Sequence, residues 1–214
     1  MRRDHLHFTC RAEQTMVMPA VERRWSRDEV LDLIARNPMH TPRYEVVDGE
    51  LFVTPSPNGP HQFAVGLLAS LLLQYARRTG IGETLTSPFD VQLAPDVTVG
   101  PDIFVVPREE AVCLRREATA RVLLLAVEII SPGSRRADRG RKRELYQRTV
   151  PEYWIVDNDA RHVEVWRSGH ASALVLRDRL RWLPRGAAEP FVLDLTAYFA
   201  DVFGESRHRL SEQG

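Results

Sequence analysis

Hydrophobic residues recur along this chain with two different periods, and the changes of period mark out its elements. Val30, Leu31 and Ile34 fall at helical spacing behind Ser26, and Glu29 stands three residues after that serine, the spacing of a capping box. The pattern predicts a first helix over 26–36, closed before Asn37-Pro38. Tyr44-Glu45-Val46-Val47 and Leu51-Phe52-Val53 then flank Asp48-Gly49, which predicts two strands joined by a two-residue turn, because glycine takes positive φ at little cost. Residues 60–79 return to helical spacing between Pro60, suited to a first turn, and Gly80, suited to a left-handed cap, and predict a long, largely buried helix.

After Gly82 the period shortens. Runs at 83–86, 89–93 and 97–106 predict strands separated by Ser-Pro and Ala-Pro-Asp turns, and 121–130 predicts a strand apolar on both faces. Ser131-Pro132-Gly133-Ser134 ends that strand, and Ser134 is placed to cap a helix that runs to about Arg148, with Pro151 beyond it. A second hairpin follows at 152–156 and 163–167, then weak strands at 174–176 and 191–195 and a short helix at 196–203. No repeat, low-complexity tract or linker divides the chain. One α/β domain with a mixed sheet is expected over 21–205, between a disordered extension at 1–20 and a tail at 206–214.

Composition narrows the function classes. The 214 residues are 43% hydrophobic, enough for a sizeable core. The 29 basic and 29 acidic residues cancel, so any nucleic-acid contact must come from local clustering, not from the field of the whole molecule. Cys10 and Cys113 have no partner spacing for a disulfide framework or a zinc ribbon, which suits a reducing cytoplasm. The most apolar stretches, 63–73 and 122–130, fall short of the roughly 20 residues a membrane span needs, and no signal-peptide pattern opens the chain. A cytoplasmic protein without membrane attachment is expected.

Candidate chemistry sits where anions interrupt apolar strands. Asp102 follows Pro101 at the edge of Ile103-Phe104-Val105-Val106, and Glu128 lies between Val127 and Ile129. Buried carboxylates need a shared counter-charge. A hard divalent cation, Mg2+ or Mn2+, supplies one, with the Ile129 carbonyl as a third protein ligand. In a helix from Ser134, residues 138, 142, 145, 146 and 149 share a face, and Leu145 with Tyr146 mark it as inward, so Lys142 points at the sheet. Lys142 is the single lysine among 29 Lys+Arg, leaving 28 arginines. An ammonium suits a catalytic site where arginine would suit a surface. The alternative is an exposed bridge from Lys142 to Asp138, worth about 0.3 to 0.5 kcal/mol. Arg135, Arg136, Arg139, Arg141, Lys142, Arg143 and Arg148 against Asp138 and Glu144 give a local excess of five positive charges, which is either a phosphate track or a solvated helix face.

The strings YEVVDGELFVTPSP, PHQ, SPFDV, GPDIFVV, VEIISPGSRRADRGRKRELY and VPEYWIVD, spread over about 26–167, resemble the Uma2-type family of restriction endonucleases within the PD-(D/E)XK superfamily. The resemblance implies a restriction-endonuclease-like core of mixed sheet and flanking helices, and a metal-dependent endonuclease acting on DNA. It implies Asp102 and Glu128 as metal ligands, and Lys142 in place of a lysine that the family carries two residues after the glutamate, where Ile130 stands here. Glu45 resembles a further acidic member of the site, although a strand glutamate beside a turn ordinarily faces solvent. The helix end at 147–151 departs from the family pattern in lacking a glycine.

Asp102, Glu128, Lys142 and Glu45 are therefore the catalytic candidates. Arg135, Arg136, Arg139 and His61 are candidate DNA contacts, His61 with the alternative of a polar cap at a helix start. Tyr153, Trp154 and Trp166 suit a core or an interface between two copies in a homodimer better than base stacking. The rival reading is a catalytically silent nuclease-fold module for nucleic-acid binding or protein interaction. No nucleophile elbow, Cys/His pair or glycine-rich phosphate loop supports a small-molecule hydrolase.

Overall fold

The computed structural model describes residues 23–37, 42–54, 58–117, 119–130, 134 and 138–205. The expected N-terminal extension, the C-terminal tail and the candidate contacts Arg135 and Arg136 lie outside the described residues. Helix α1 (Arg27–Ala35) begins as its capping box requires: Ser26 Oγ accepts from the Glu29 amide at 3.2 Å, while the Ser26 amide donates to Glu29 Oε2 at 2.9 Å. Strands β1 (Arg43–Val47) and β2 (Glu50–Thr54) pair antiparallel with Val47 opposite Glu50. Their turn holds both central residues at positive φ, Asp48 at 50° and Gly49 at 81°, as a primed hairpin turn demands. Helix α2 (Gly59–Thr79) is capped by Asn58, whose side chain accepts from the His61 amide, and ends on Gly80 at φ 70°.

The next part of the chain departs from the sequence pattern in instructive places. It folds as β3 (Gly82–Thr86), β4 (Asp90–Ala94), β5 (Val97–Val99), β6 (Ile103–Pro107), a short helix α3 (Arg108–Cys113), β7 (Thr119–Ala120) and β8 (Leu125–Ile130). The apolar run 97–106 is thus two strands, because Pro101 has no amide to give a ladder. The run 121–130 becomes strand only from Leu125. The helix expected from Ser134 to Arg148 is interrupted: Asp138 and Arg139 form a helical turn, Gly140 leaves it at φ −104°, ψ −113°, and α4 (Arg141–Thr149) starts afresh. At its other end Val150 turns extended into Pro151 while its amide still bonds the Tyr146 carbonyl, so no glycine is needed there. Strands β9 (Glu152–Asp157), β10 (His162–Arg167), β11 (Leu174–Leu176), β12 (Arg179–Trp182) and β13 (Phe191–Asp194) and helix α5 (Leu195–Val202) complete the domain; α3 and β12 had no clear signal.

Two larger sheets result, one in the order β11-β10-β9-β8-β6-β3 and one in the order β2-β1-β5-β4-β7, with β12 and β13 as a separate ribbon. In the six-stranded sheet β8 and β9 run parallel and the other neighbours antiparallel, and α4 lies in the crossover between the parallel pair. Strand alternation then sorts the side chains. Ile103, Val105, Leu125, Val127, Ile129, Trp154 and Val156 meet α2 and α5 on one face. Phe104, Val106, Ala126, Ile130, Tyr153 and Ile155 meet Val47, Val97, Leu145 and Tyr146 on the other. Tyr153 and Trp154 are therefore core residues, not interface aromatics, and Trp166 is half-buried under Arg143. Among the described residues no helix is long and apolar enough to cross a membrane.

Candidate active site

Asp102, the residue just before β6, and Glu128, on β8, are even-numbered positions, and both fall on the face that carries Phe104 and Ala126. Ile103 pairs with Val127, so extending that antiparallel register by one residue sets Asp102 against Glu128. From the facing sheet, Arg43, Glu45 and Val47 share the inward side of β1, and Val47 sits in the same core. Lys142, near the start of α4, projects into the gap with Leu145 and Tyr146. Four of the candidates thus meet out of solvent: Glu45 and Glu128 are 1% exposed, Asp102 5% and Lys142 0%.

The contacts are specific. Lys142 Nζ lies 2.6 Å from Glu45 Oε2, 3.2 Å from Glu128 Oε1 and 3.3 Å from Asp138 Oδ1. The i,i+4 bridge to Asp138 exists, but inside the protein and as one arm of three. Glu128 Oε1 also accepts from the Tyr146 hydroxyl at 3.3 Å, and Glu45 Oε1 accepts from the Gly100 amide at 2.8 Å. That last bond occupies the backbone break between β5 and β6. Asp102 Oδ2 accepts from the Ile129 amide at 2.9 Å and lies 3.1 Å from His61 Nε2, which donates when it carries the ring proton. Helix α2 therefore delivers His61 to the carboxylate cluster, and the polar-cap role falls to Asn58 instead.

Two members had not been singled out. Asp138, buried, joins through Lys142, and the Ser134 hydroxyl bonds its carboxylate. Arg43 donates from Nη1 to Asp102 Oδ1 and to Ser87 Oγ, both at 3.0 Å. The signal for Arg43 was present: it stands two residues before Glu45, on the same face of one strand. Arg139, a candidate DNA contact, bridges Asp157 at 3.1 Å and Glu164 at 2.8 Å and keeps 32% of its side chain exposed. It ties the turn before α4 to the β9–β10 hairpin.

These neighbours divide the acids into two kinds. Burial acts to raise every carboxyl here. At Asp102 the hydrogen bond from His61, the charge of Arg43 and the Ile129 amide outweigh it and hold the group below the usual carboxylate range. At Glu45 the charges of Lys142 and Arg43 and the Gly100 amide do the same. At Glu128 burial prevails over Lys142, reinforced by Asp138, Asp102 and Glu45, and the group is pushed well above the usual range. Asp138 is raised for the same first reason. For Lys142, burial disfavours the ammonium, but Glu128, Glu45 and Asp138 more than offset it and raise its pKa.

Among the described residues no three His, Cys, Asp or Glu side chains form a ready cage for a metal ion. The donor chemistry nevertheless fits a hard divalent cation. Four buried carboxyl groups face two fixed cations, Lys142 and Arg43, so the cluster is rich in oxygen donors. Arg43 Nη2 lies 3.9 Å from Glu128 Oε2, beyond hydrogen-bond distance. The Ile129 peptide borders the pair, since its amide reaches Asp102, and within a strand the carbonyl of a residue turns to the same side as its amide.

Comparison with known proteins agrees with this architecture. The crystal structure of a putative nuclease belonging to DUF820, from Anabaena variabilis ATCC 29413, superposes with a TM-score of 0.67 at 20% identity, over 81% of this chain and 98% of that one, a likeness of fold. No curated protein matches the chain. A family model described as Uma2, putative restriction endonuclease, matches residues 28–195. The chain belongs to the Uma2 family, and its fold is restriction-endonuclease-like.

Proposed function

We propose that the protein is a divalent-metal-dependent endonuclease that hydrolyses phosphodiester bonds of DNA at the cluster of Asp102, Glu128, Lys142 and Glu45. The observation that carries this reading is the convergence of these residues, from four separate stretches of chain, on one dry site with an excess of carboxylates. Asp102 and Glu128, with the Ile129 carbonyl, would hold Mg2+ or Mn2+. Bound there, the ion supplies Lewis acidity that polarises a phosphate and activates water.

The other residues act around that pair. Lys142 keeps Glu128, Glu45 and Asp138 in place and maintains a positive charge beside them, which offsets charge growing on the phosphoryl oxygens. Glu45 fixes Lys142 and is itself anchored on the Gly100 amide. His61, on α2, orients Asp102 through Nε2.

Plasmid DNA with Mg2+ or Mn2+ tests the proposal: wild type nicks or linearises it and Asp102→Ala does not, whereas intact DNA with both metals over several pH values would overturn it. The silent-module reading draws on Arg43, whose guanidinium already gives Asp102 a partner without any metal. Titration calorimetry separates the two, since a silent module shows no metal binding, or binding that Asp102→Ala leaves unchanged.

A further inference from the structure

Arg43 occupies an unusual place. Its Nη1 bonds Asp102 Oδ1 at 3.0 Å, its Nη2 lies 3.9 Å from Glu128 Oε2, and its Nε lies 3.7 Å from Glu45 Oε2. One guanidinium therefore spans both carboxylates that a divalent ion would share, plus a third. Charge of this kind cannot be doubled there: a dication and a guanidinium within the same few ångströms repel each other strongly in a dry site.

Arg43 and Lys142 are also held differently. Lys142 is enclosed by three carboxylates at 2.6 to 3.3 Å and has no exposed surface. Arg43 keeps 21% of its side chain exposed, has a buried Nε without a hydrogen-bond partner, and contacts two of its three acids only beyond 3.5 Å. It also lines a pocket of about 300 Å³, formed with Ile34, Asn37, Pro42, Ser87, Phe89 and Gly100. The side chain has somewhere to go.

We infer that Arg43 is an exchangeable counter-cation: Asp102 and Glu128 hold either its guanidinium or a divalent metal ion, and metal entry moves the guanidinium out toward the pocket. This rests on the proposed role of Asp102 and Glu128 as metal ligands. In the metal-free protein Arg43 keeps the carboxylates together and soluble in the core; with metal present it is released beside the site. The exchange makes metal affinity lower than the carboxylates alone would give.

Calorimetric titration with MgCl2 tests this on wild type, Arg43→Gln and, as a control outside the cluster, Arg148→Gln. Arg43→Gln should bind at least about tenfold more tightly than wild type, because a competing unit charge has gone, while Arg148→Gln matches wild type. Equal or weaker binding by Arg43→Gln overturns the exchange and leaves the nuclease reading standing. Absence of binding in wild type and Arg43→Gln alike overturns the nuclease reading, and the exchange with it. Should Arg43→Gln fold poorly, the wild type answers directly: the Arg43 Nε–Hε resonance, identified by its loss in Arg43→Lys, shifts as Mg2+ saturates. A resonance unmoved at saturation overturns the exchange.

Discussion

The two faces of the six-stranded sheet are equally dry and held by different physics. Toward α2 and α5, Leu125, Val127, Trp154 and Val156 meet Leu68, Leu72 and Phe199, and the face is stabilised by apolar area and close packing. Toward β1 and α4, Asp102 and Glu128 are buried against Glu45, Asp138, Arg43 and Lys142. There each charge is tolerable only because of its partners, and such arrangements are often less stable than an apolar replacement would be. The contrast teaches that burial alone does not mark an apolar core: the second face has its own apolar cluster and beside it also encloses charged groups held at fixed places.

Removing one partner should expose the contrast most strongly. Lys142→Met strands three buried carboxylates and is expected to cost about 3 to 5 kcal/mol in urea unfolding, with loss of cleavage. Leu72→Ala, on the apolar face, is expected to cost about 2 to 5 kcal/mol through the cavity it opens. It should leave Mg2+ affinity as it was. A shift in affinity with Leu72→Ala would mean that the two faces are mechanically coupled.

Glu128→Gln should act in the opposite direction. It removes the acid that burial raises furthest, so the metal-free protein should gain about 1 kcal/mol near neutral pH, roughly 2–4 °C in Tm, while metal binding is lost. An unchanged or lowered Tm would show that Glu128 is needed for packing.

The smallest effect is the pH dependence. Glu128 faces Lys142, Tyr146 and Asp138 around α4, Arg43 and Glu45 from β1, and Asp102 from just before β6. Its folded pKa is raised, so its contribution to stability is complete below the unfolded carboxylate value and declines as pH climbs toward the folded one. Asp102, lowered, has the reverse sign: its contribution is present above the unfolded value and lost as pH falls toward its folded one. Metal affinity should rise with pH across the Glu128 window, since the ligand must be ionised. Thermal melts and metal titrations from pH 4 to 8 read both trends, and Glu128→Gln should flatten the first.

What was legible in the sequence was local. The hairpin around Asp48-Gly49, the box at Ser26 and Glu29, and the caps of α2 are each decided within a few residues, and they form where expected. Asp102, Glu128 and Lys142 were visible as charges set against apolar patterns. The split of 97–106 was carried by Pro101 and missed because Val97 and Val99 on one side and 103–106 on the other read as one strand across it. Gly140 breaks a helical pattern that periodicity alone would continue. Arg43 escaped because its role depends on a sheet-to-sheet contact between residues far apart in the chain, and an arginine before a tyrosine reads as ordinary surface. Asp138 had the right face and spacing, but spacing does not tell a solvated bridge from an enclosed one.

The placement of Lys142 in the crossover between two parallel strands bears on biosynthesis. The acids at 45, 102 and 128 leave the ribosome before their lysine, and the helix that carries it is fixed only when β9 has docked beside β8. Parallel pairing is a late, non-local event in folding. A nascent or half-folded chain would therefore hold the acids without their organiser, and on the function proposed above the site would be complete only in the finished domain.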